Sequence, residues 1–252
     1  MKTFVVSRLG SMVAILVALT AVMFVLQNIS PLDPVKAQLG AQASADAVAA
    51  RRAALGLNDP VLVQFWHYLS GAATGDLGTS YRTRHAVMSD LASFVPATLE
   101  LALAGLLIAV VLAVLLAFST TLNWRGANVL RAVLFTGSSA PMFLLGILGL
   151  IVFYQDLGWV PANGRIAVPN PPTGPTGMLT VDGLLHGRLD VVADAAHHLI
   201  LPAFVIAIGP AVAIGRVLRS SLLADIDSDY ARTARAKGLS ETRILARHVL
   251  RN

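Results

Sequence analysis

The 252-residue sequence contains no cysteine and few charged residues. The absence of cysteine excludes disulfides, thiolate chemistry and cysteine-based metal sites, although it says little about the cellular compartment. Only 13% of the residues are charged, whereas an ordinary soluble domain has about 25%. The GxxxxGK[ST] pattern is also missing, so the chain has no loop of the kind that cradles ATP phosphates.

Apolar residues take the place of the missing charge. Hydrophobic residues make up 56% of the chain, and the mean hydropathy is +0.70. A soluble core of this length cannot hide so much apolar surface, because large contiguous apolar patches are rare on soluble proteins. The composition therefore predicts an integral membrane protein.

Four apolar segments meet the requirement of roughly 20 residues for a membrane-crossing helix. Each is expected to be helical, since a backbone in hydrocarbon must satisfy its own hydrogen bonds. The predicted spans are residues 9–29, 97–122, 132–154 and 199–218. A secretory signal peptide is an alternative for the first. Its apolar run is longer than the usual 7–15 residues or so, and no small-x-small cleavage site follows, which favours a retained span.

Basic residues are distributed unevenly between the two sides of the predicted spans. One side holds the amino terminus, the loop with Arg125 and Arg131, and the strongly basic segment 225–252. The other side has fewer basic residues and several aspartates. Because short cytoplasmic loops are enriched in lysine and arginine, the amino terminus and residues 225–252 are predicted to be cytoplasmic. The net charge of +5 thus lies beside spans, which argues against a nucleic-acid partner.

Two long segments lie on the opposite side. Within residues 31–96, helices are predicted at 44–55 and at 61–69. Residues 155–198 are rich in proline and glycine and are expected to form a loop, and loops this long are usually functional or mobile. Glu100, near the start of the second span, is expected to reach the membrane interface.

The carboxy-terminal segment 225–252 is polar, basic and helix-prone. Ser228 and Asp229 are predicted to cap a first helix, because their side chains accept bonds from free backbone N–H groups. Gly238 is predicted to end that helix in a left-handed conformation, and Ser240 to cap a second helix. This pattern is typical of a docking element. A basic helix held against anionic lipid would explain the charge but not the capped glycine break.

The same segment resembles the cytoplasmic coupling loop of ABC importer permeases over residues 229–240 (DYARTARAKGLS) and 247–252 (RHVLRN). More narrowly, the segment is similar to the dipeptide/oligopeptide/nickel branch of that family. Further similar runs follow the family's order: residues 55–60 (LGLNDP), 75–80 (GDLGTS), 96–101 (PATLEL) and 157–165 (LGWVPANGR). Residues 31–34 (PLDP) depart from the family's usual PGDP, which is expected to change that turn locally.

The resemblance implies an all-α integral membrane protein that forms half of a translocation pore for peptides or related small solutes. It implies an amino-terminal end and first span (1–30), an external helical loop region (31–96), a permease core (97–224) and a cytoplasmic coupling-helix pair (225–252). The family usually has six spans, whereas this chain shows four. A truncated or diverged subunit is therefore expected. A non-transporting membrane scaffold or a permease remnant is the alternative.

In the family, the coupling loop lies in a groove of an ATPase subunit. The positions that match in this sequence, and are expected to contact the ATPase, are Ala234, Arg235, Ala236, Lys237, Gly238 and Leu239. The implied partners are a second homologous permease subunit, two ATPase subunits, an extracytoplasmic substrate-binding protein and the lipid bilayer of a bacterial or archaeal inner membrane. No cofactor and no enzymatic activity are expected in this chain, since ATP and magnesium would bind the ATPase subunits.

Other candidate chemistry is less well supported. His197 and His198 form a possible metal pair, but adjacent residues on a helix point about 100° apart, which favours an interfacial position. The metal interpretation stays open because the family includes nickel importers. A secondary transporter or channel would need ionisable groups inside its spans, and only Glu100 qualifies. Glycines and prolines in the later spans predict either close helix packing or a flexible pore wall.

Overall fold

The computed structural model describes residues 2–29, 34–40, 42–80, 82–121, 125–226 and 228–244. These residues form helices joined by turns and loops, with no strand among them, although an isolated antiparallel bridge joins Thr79 and Ala86. The prediction of an all-α protein is confirmed for this part of the chain. Two compact units comprise Met1–Phe94 and Val95–Asn252. The predicted division into four functional regions stays a prediction.

The first unit is built from helices α1 (Lys2–Ile29), α2 (Pro34–Leu39), α3 (Ala45–Ala54) and α4 (Val61–Thr74). Helix α1 packs on α4 near its carboxy end, where the ring of Phe24 lies 5.4 Å from that of Phe65 and 6.2 Å from that of Tyr68. The apolar stretch of α1 is otherwise exposed. Such a surface is expected for a helix surrounded by lipid or by another membrane subunit.

Helix α3 shows how local sequence sets the bounds of an element. Ser44 caps its start, because the side chain accepts a backbone N–H of the first turn at 3.3 Å. Gly56 ends it with φ of +65°, and the N–H of Leu57 donates to the carbonyl of Arg52 at 3.0 Å. This is a Schellman turn, which satisfies carbonyls left free at a helix end. The two helices predicted in this region are confirmed.

The second unit is arranged around one long helix. Its elements are α5 (Val87–Thr121, which begins before the unit boundary), α6 (Ala127–Ser139), α7 (Met142–Gly149) with a π-helical continuation (Leu150–Asp156), α8 (Leu179–Leu185), α9 (Leu189–Asp225), α10 (Asp229–Ala236) and α11 (Glu241–Ile244). Helices α6, α7 and α8 all pack on α9. Helix α5 meets α9 through a buried group of Ala109, Ala207 and Ala211.

Three described helices are long and apolar enough to cross a membrane: Thr3–Leu26 within α1, Val87–Ser119 within α5, and Leu189–Asp225. The predicted span at 132–154 is divided, because α6 ends at Ser139 and α7 begins after Pro141. Proline lacks a backbone N–H and disfavours helical geometry in the residue before it. A multi-span helical protein is therefore confirmed, while the count of four spans stays a prediction.

The start of α9 corrects one sequence-based boundary. Residues 189–198, expected to belong to a loop, form the first turns of this helix. The error came from polar side chains at Asp190, Asp194, His197 and His198, which lower the local hydropathy. In the structure these turns carry polar side chains that bind the preceding segment, so helical structure and low hydropathy occur together.

Small residues let the helices of the second unit approach closely. A Cβ placed on Gly215 of α9 would lie 2.9 Å from Leu116 Cδ2 and 3.3 Å from the carbonyl oxygen of Ala113. A Cβ on Gly105 of α5 would lie 2.6 Å from Ile206 Cδ1. These two glycines therefore act in helix packing, which is one of the two roles predicted for them.

We expect Gly215→Ala to lower the melting temperature of the purified protein, measured by circular dichroism in detergent. The new methyl group meets a backbone oxygen that cannot rotate away, and overpacking of this kind costs about 1–3 kcal/mol. The matched control is Gly146→Ala, because a Cβ there meets nothing within 4 Å. Alanine favours a helix over glycine by about 1 kcal/mol, so the control should melt no lower than wild type. Equal melting temperatures for the two variants would contradict this packing.

Candidate functional site

The helix pair formed by α10 and α11 follows α9 directly. Helix α10 begins after Ser228, whose φ of −66° and ψ of 157° suit an N-cap residue. The hydroxyl of Ser228 does not cap the helix, because it donates to the carbonyl of Asp225 at 2.6 Å. The position of the helix start was thus predicted correctly, but the side-chain bond was not.

The turn after α10 is a second Schellman motif. The N–H of Gly238 donates to the carbonyl of Arg235 at 2.9 Å, and the N–H of Leu239 donates to that of Ala234 at 3.2 Å. Gly238 has φ of +78°, a conformation that costs other residues about 1–2 kcal/mol. The predicted sequence of helix, glycine break and helix is confirmed over residues 229–244. The similar run at 247–252 lies outside the described residues.

A buried apolar group, here named the junction cluster, ties the helix pair to two long helices. Its members are Ala117 of α5, Leu222 of α9, Ala234 of α10 and Ile244 of α11, none more than 5% exposed. Packed against them are Phe118, Leu218, Ile226 and Leu239. Because closely packed interiors transmit displacement, the helix pair cannot shift without moving or repacking the ends of α5 and α9.

The residues predicted to contact an ATPase differ in their exposure. Ala234 is buried in the junction cluster, whereas Arg235 and Leu239 are half-buried. Residues 236–238 are exposed. The turn thus has an outer surface available to a partner and an inner surface fixed to the chain's own core. The contact with an ATPase itself stays a prediction.

A second polar site, here named the Glu100 network, joins α5 to the segment 157–188. The Glu100 carboxylate accepts a bond from Arg165 Nη2 at 2.9 Å, and bonds from the N–H and the hydroxyl of Thr180 at 2.6 and 2.7 Å. Arg165 also donates to the carbonyl of Gly177 at 3.1 Å. Glu100 is only 6% exposed, so its carboxylate is bound by protein groups and not by water, while its expected position at the membrane interface stays a prediction. Its burial is tolerated because a charged partner and two further donors replace water.

The first turns of α9 hold the same segment. Asp194 accepts the backbone N–H of Ala167 at 2.5 Å. His197 Nε2 lies 2.7 Å from the carbonyl oxygen of Trp159, while His198 Nδ1 lies 2.8 Å from that of Asp194. The two imidazoles therefore face different partners. Within the described ranges, no group of three or more potential metal-ligating side chains occurs.

Asp182 stabilises a local turn within the segment 157–188. Its carboxylate accepts bonds from the N–H and hydroxyl of Thr176 at 3.2 and 2.8 Å, and from the N–H of Gly177 at 2.8 Å. Burial alone would raise the pKa of Asp182, but these bonds outweigh it, with help from nearby His186. The pKa of this carboxyl group therefore lies below its usual value.

This lowered pKa predicts how the turn responds to acid. The stabilisation by Asp182 is fully present above its unfolded pKa of about 3.9 and is lost as the pH falls through the lower folded value. We expect the amides of Thr176 and Gly177 to stay protected from hydrogen exchange at pH 5 and to lose protection at still lower pH, after correction for intrinsic rates. In Asp182→Asn these two amides should lose most of their protection at every pH. In the control Asp156→Asn they should keep it. Equal protection in the two variants would contradict the assignment.

Two adjoining cavities lie beside the Glu100 network. One of 240 Å³ is lined by Glu100 and Arg165, and one of 380 Å³ lies between α7, residues 161–164 and α9. They share Gly164, His198 and Pro202. The larger is lined mainly by apolar side chains, among them Met142, Phe143, Leu150, Leu201, Val205 and Ile206. The larger cavity therefore has a mainly apolar wall, and the ion pair of Glu100 and Arg165 lies in the wall of the smaller one.

Long apolar helices, with a basic helix pair packed against the ends of α5 and α9, are typical of a multi-span membrane protein. A family model described as "Binding-protein-dependent transport system inner membrane component" matches residues 87–252, and one described as "Binding-prot-dependent transport system membrane comp, N-term" matches residues 1–102. The chain belongs to this family of inner membrane components of binding-protein-dependent transport systems.

The chain is also similar to individual permeases of known name. It is 33% identical, over its full length and 76% of the relative, to the dipeptide transport system permease protein DppB of Alkalihalophilus pseudofirmus. It is 37% identical, over 97% of the chain and 73% of the relative, to the probable D,D-dipeptide transport system permease protein DdpB of Escherichia coli K12. The glutathione transport system permease protein GsiC of Salmonella typhimurium is 32% identical over the full chain and 74% of its own length.

These findings confirm the resemblance to ABC importer permeases of the peptide class. They also support a multi-pass protein of the bacterial inner membrane. The Glu100 network was missed at the sequence level, although Glu100 lies in the family-like run at 96–101. A carboxylate within an apolar span was the available signal, since such groups are usually retained for a function.

Proposed function

We propose that this chain forms half of the translocation pore of an ABC importer, and that ATPase subunits move it through the helix pair α10 and α11. The observation that carries the proposal is the junction cluster, in which Ala234 and Ile244 of the pair pack with Ala117 and Leu222 of the long helices. A displacement of the pair therefore reaches two membrane-spanning helices directly.

The proposed contact uses the exposed side of the Gly238 turn. Ala236 has a small side chain and Gly238 has none, so both permit a close approach, while the ammonium of Lys237 offers a partner for acidic groups in an ATPase groove. ATP and Mg²⁺ would bind to the two ATPase subunits, with no cofactor in this chain. When those subunits close on ATP, the turn would be pushed and the ends of α5 and α9 would follow, switching the pore between outward-facing and inward-facing states.

The proposed topology has four spans, with residues 132–154 crossing as a helix broken at Pro141. The amino terminus and the helix pair would be cytoplasmic, and segment 157–188 would face the substrate-binding protein outside. The lysine and arginine distribution supports this orientation.

The absence of cysteine permits a direct test of that topology. We expect Thr173→Cys to react with a membrane-impermeant maleimide in intact cells, and Arg125→Cys, which lies outside the proposed ATPase contact, to react only after the membrane is permeabilised. Both positions are exposed, so accessibility of the side chain does not limit labelling. The reverse pattern would overturn the proposed orientation.

The proposed solute is a short peptide or a related small molecule. The relatives named above are dipeptide, D,D-dipeptide and glutathione permeases, and all three solutes are short peptides with free charged ends. Selectivity among them would rest largely with the external binding protein. Uptake of labelled dipeptide and labelled glutathione into vesicles containing the whole transporter would distinguish these solutes.

Affinity purification of the tagged chain tests the proposed function. We expect wild type, solubilised from its own membranes, to recover ATP-hydrolysing subunits whose activity rises when the binding protein is added. Ala236→Trp places a large side chain on the proposed contact and should recover none. Leu185→Trp, at an exposed position in segment 157–188, should recover them fully. Recovery of ATPases without stimulation or solute uptake would favour a membrane scaffold, and no recovery by wild type would refute the proposal.

A further inference from the structure

Helix α5 contacts both functional segments of the second unit. Glu100 binds segment 157–188, and Ala117 on the same helix lies in the junction cluster with the helix pair. The two residues are 17 positions apart, a rise of about 25 Å in an α-helix. That distance is close to the hydrocarbon thickness of a bilayer, about 30 Å. One continuous helix therefore links the two segments across most of a membrane.

We propose that Glu100, Arg165 and Thr180 are positioning residues through which α5 transmits movement between segment 157–188 and the helix pair. The proposal rests on the proposed function and adds a route by which a binding protein docked on one side reaches the ATPases on the other. The network acts on other parts of the transporter through α5 and touches no reacting group.

The sequence of α5 makes it the stiffer of the two possible links. Its proline, Pro96, precedes Glu100, so the stretch from Glu100 to Ala117 keeps an unbroken backbone ladder. Helix α9 carries Pro202 and Pro210 between its contacts with the same two segments. Each proline removes a helical hydrogen bond and permits bending. Movement applied to one end is therefore passed on more completely by α5 than by α9.

The Glu100 network attaches two separated parts of the segment to a single residue of α5. Arg165 and Thr180 are 15 positions apart in the chain, and both donate to the same buried carboxylate. Lifting the segment would leave a charge unpaired in a poorly solvated place, which is strongly unfavourable. The exposed pair between Arg188 and Asp190 has no such role, because both partners belong to the region around the start of α9 and remain in water.

The test uses the complete transporter in proteoliposomes, with ATP hydrolysis measured with and without the substrate-binding protein. For Glu100→Gln and Arg165→Gln we expect normal recovery of the ATPase subunits and normal basal hydrolysis. Stimulation by the binding protein should fall by about fivefold or more, the range of typical allosteric coupling. Arg165→Lys should restore part of the stimulation because it keeps the charge. Arg188→Gln, which breaks the exposed pair, should leave stimulation unchanged.

Hydrogen exchange provides a second measurement on the same preparations. In Glu100→Gln, the amides of Thr180 and Leu239 should both exchange faster, because release of one end of α5 loosens the other. Full stimulation in Glu100→Gln would overturn the inference while leaving the proposed function intact. Loss of ATPase recovery or of basal hydrolysis would also overturn it, because the network would then only maintain the fold. Absence of stimulation in wild type would refute the proposed function and this inference together.

Discussion

Leu222→Ala is expected to reduce the free energy of unfolding by about 2–5 kcal/mol and to abolish ATP hydrolysis stimulated by the binding protein. Leu222 is 1% exposed and contacts the other members of the junction cluster. Truncation removes its contacts and leaves a cavity at the point where α9 meets the helix pair. Denaturation of the purified protein in detergent would measure the stability, and hydrolysis by the reconstituted transporter would measure the coupling.

The adjacent residue provides the control for this experiment. Leu223 has the same side chain on the same helix but is 45% exposed, so Leu223→Ala should change stability by about 0.5 kcal/mol or less. Hydrolysis is best compared at a temperature at which both variants remain folded. If Leu222→Ala were then fully stimulated, the junction cluster would serve stability alone and the proposed coupling route would be wrong.

The helix pair was predictable from sequence because its signals are local. Ser228, Gly238 and Ser240 lie within one short segment, and each favours a backbone conformation by its own chemistry. The structure confirms the start of the first helix and the left-handed glycine, although the Ser228 hydroxyl donates to the carbonyl of Asp225 and does not cap the helix. Which residues of the turn are buried and which are exposed was not predictable. Ala234 and Ala236 are both alanines with similar neighbours in the sequence, and only tertiary packing makes the first buried and the second exposed.

The Glu100 network could not be predicted because its partners are distant in sequence. Arg165 and Thr180 lie 65 and 80 positions from Glu100, and no periodic pattern connects them. The start of α9 was missed for a related reason. Its polar residues bind the preceding segment, so a hydropathy window interprets helical turns as loop. Both errors concern residues that bind segment 157–188. Their polar side chains lie in or beside apolar helices, and their partners become neighbours only when the chain folds.

The positions of these two sites support the proposal that one subunit responds to partners on both faces of a membrane. The junction cluster fixes the helix pair to α5 and α9, while the Glu100 network fixes segment 157–188 to α5. Close packing at Gly105 and Gly215 keeps the two long helices in contact between these points. Under this proposal, a displacement applied at one segment would pass to the other through these packed helices.

Gly238→Ala is expected to lower the binding-protein-stimulated hydrolysis strongly without creating a steric clash. A Cβ at this position meets no atom within 4 Å, so the whole effect comes from the backbone, whose φ of +78° is unfavourable for alanine. The cost of about 1–2 kcal/mol lowers the ratio of molecules with the turn formed to those without it about 5–30-fold. Hydrolysis by the reconstituted transporter, with and without the binding protein, would measure the loss.

Asparagine at the same position separates backbone conformation from side-chain size. Asparagine is larger than alanine but adopts the left-handed region more readily than other residues with a side chain. If the Schellman turn at Gly238 is what couples the helix pair to the ATPases, Gly238→Asn should retain more stimulation than Gly238→Ala. An order that follows side-chain size, with asparagine worse than alanine, would mean that Gly238 matters because a partner lies directly against it. Equal activity of both variants and wild type would mean that the turn has no part in coupling.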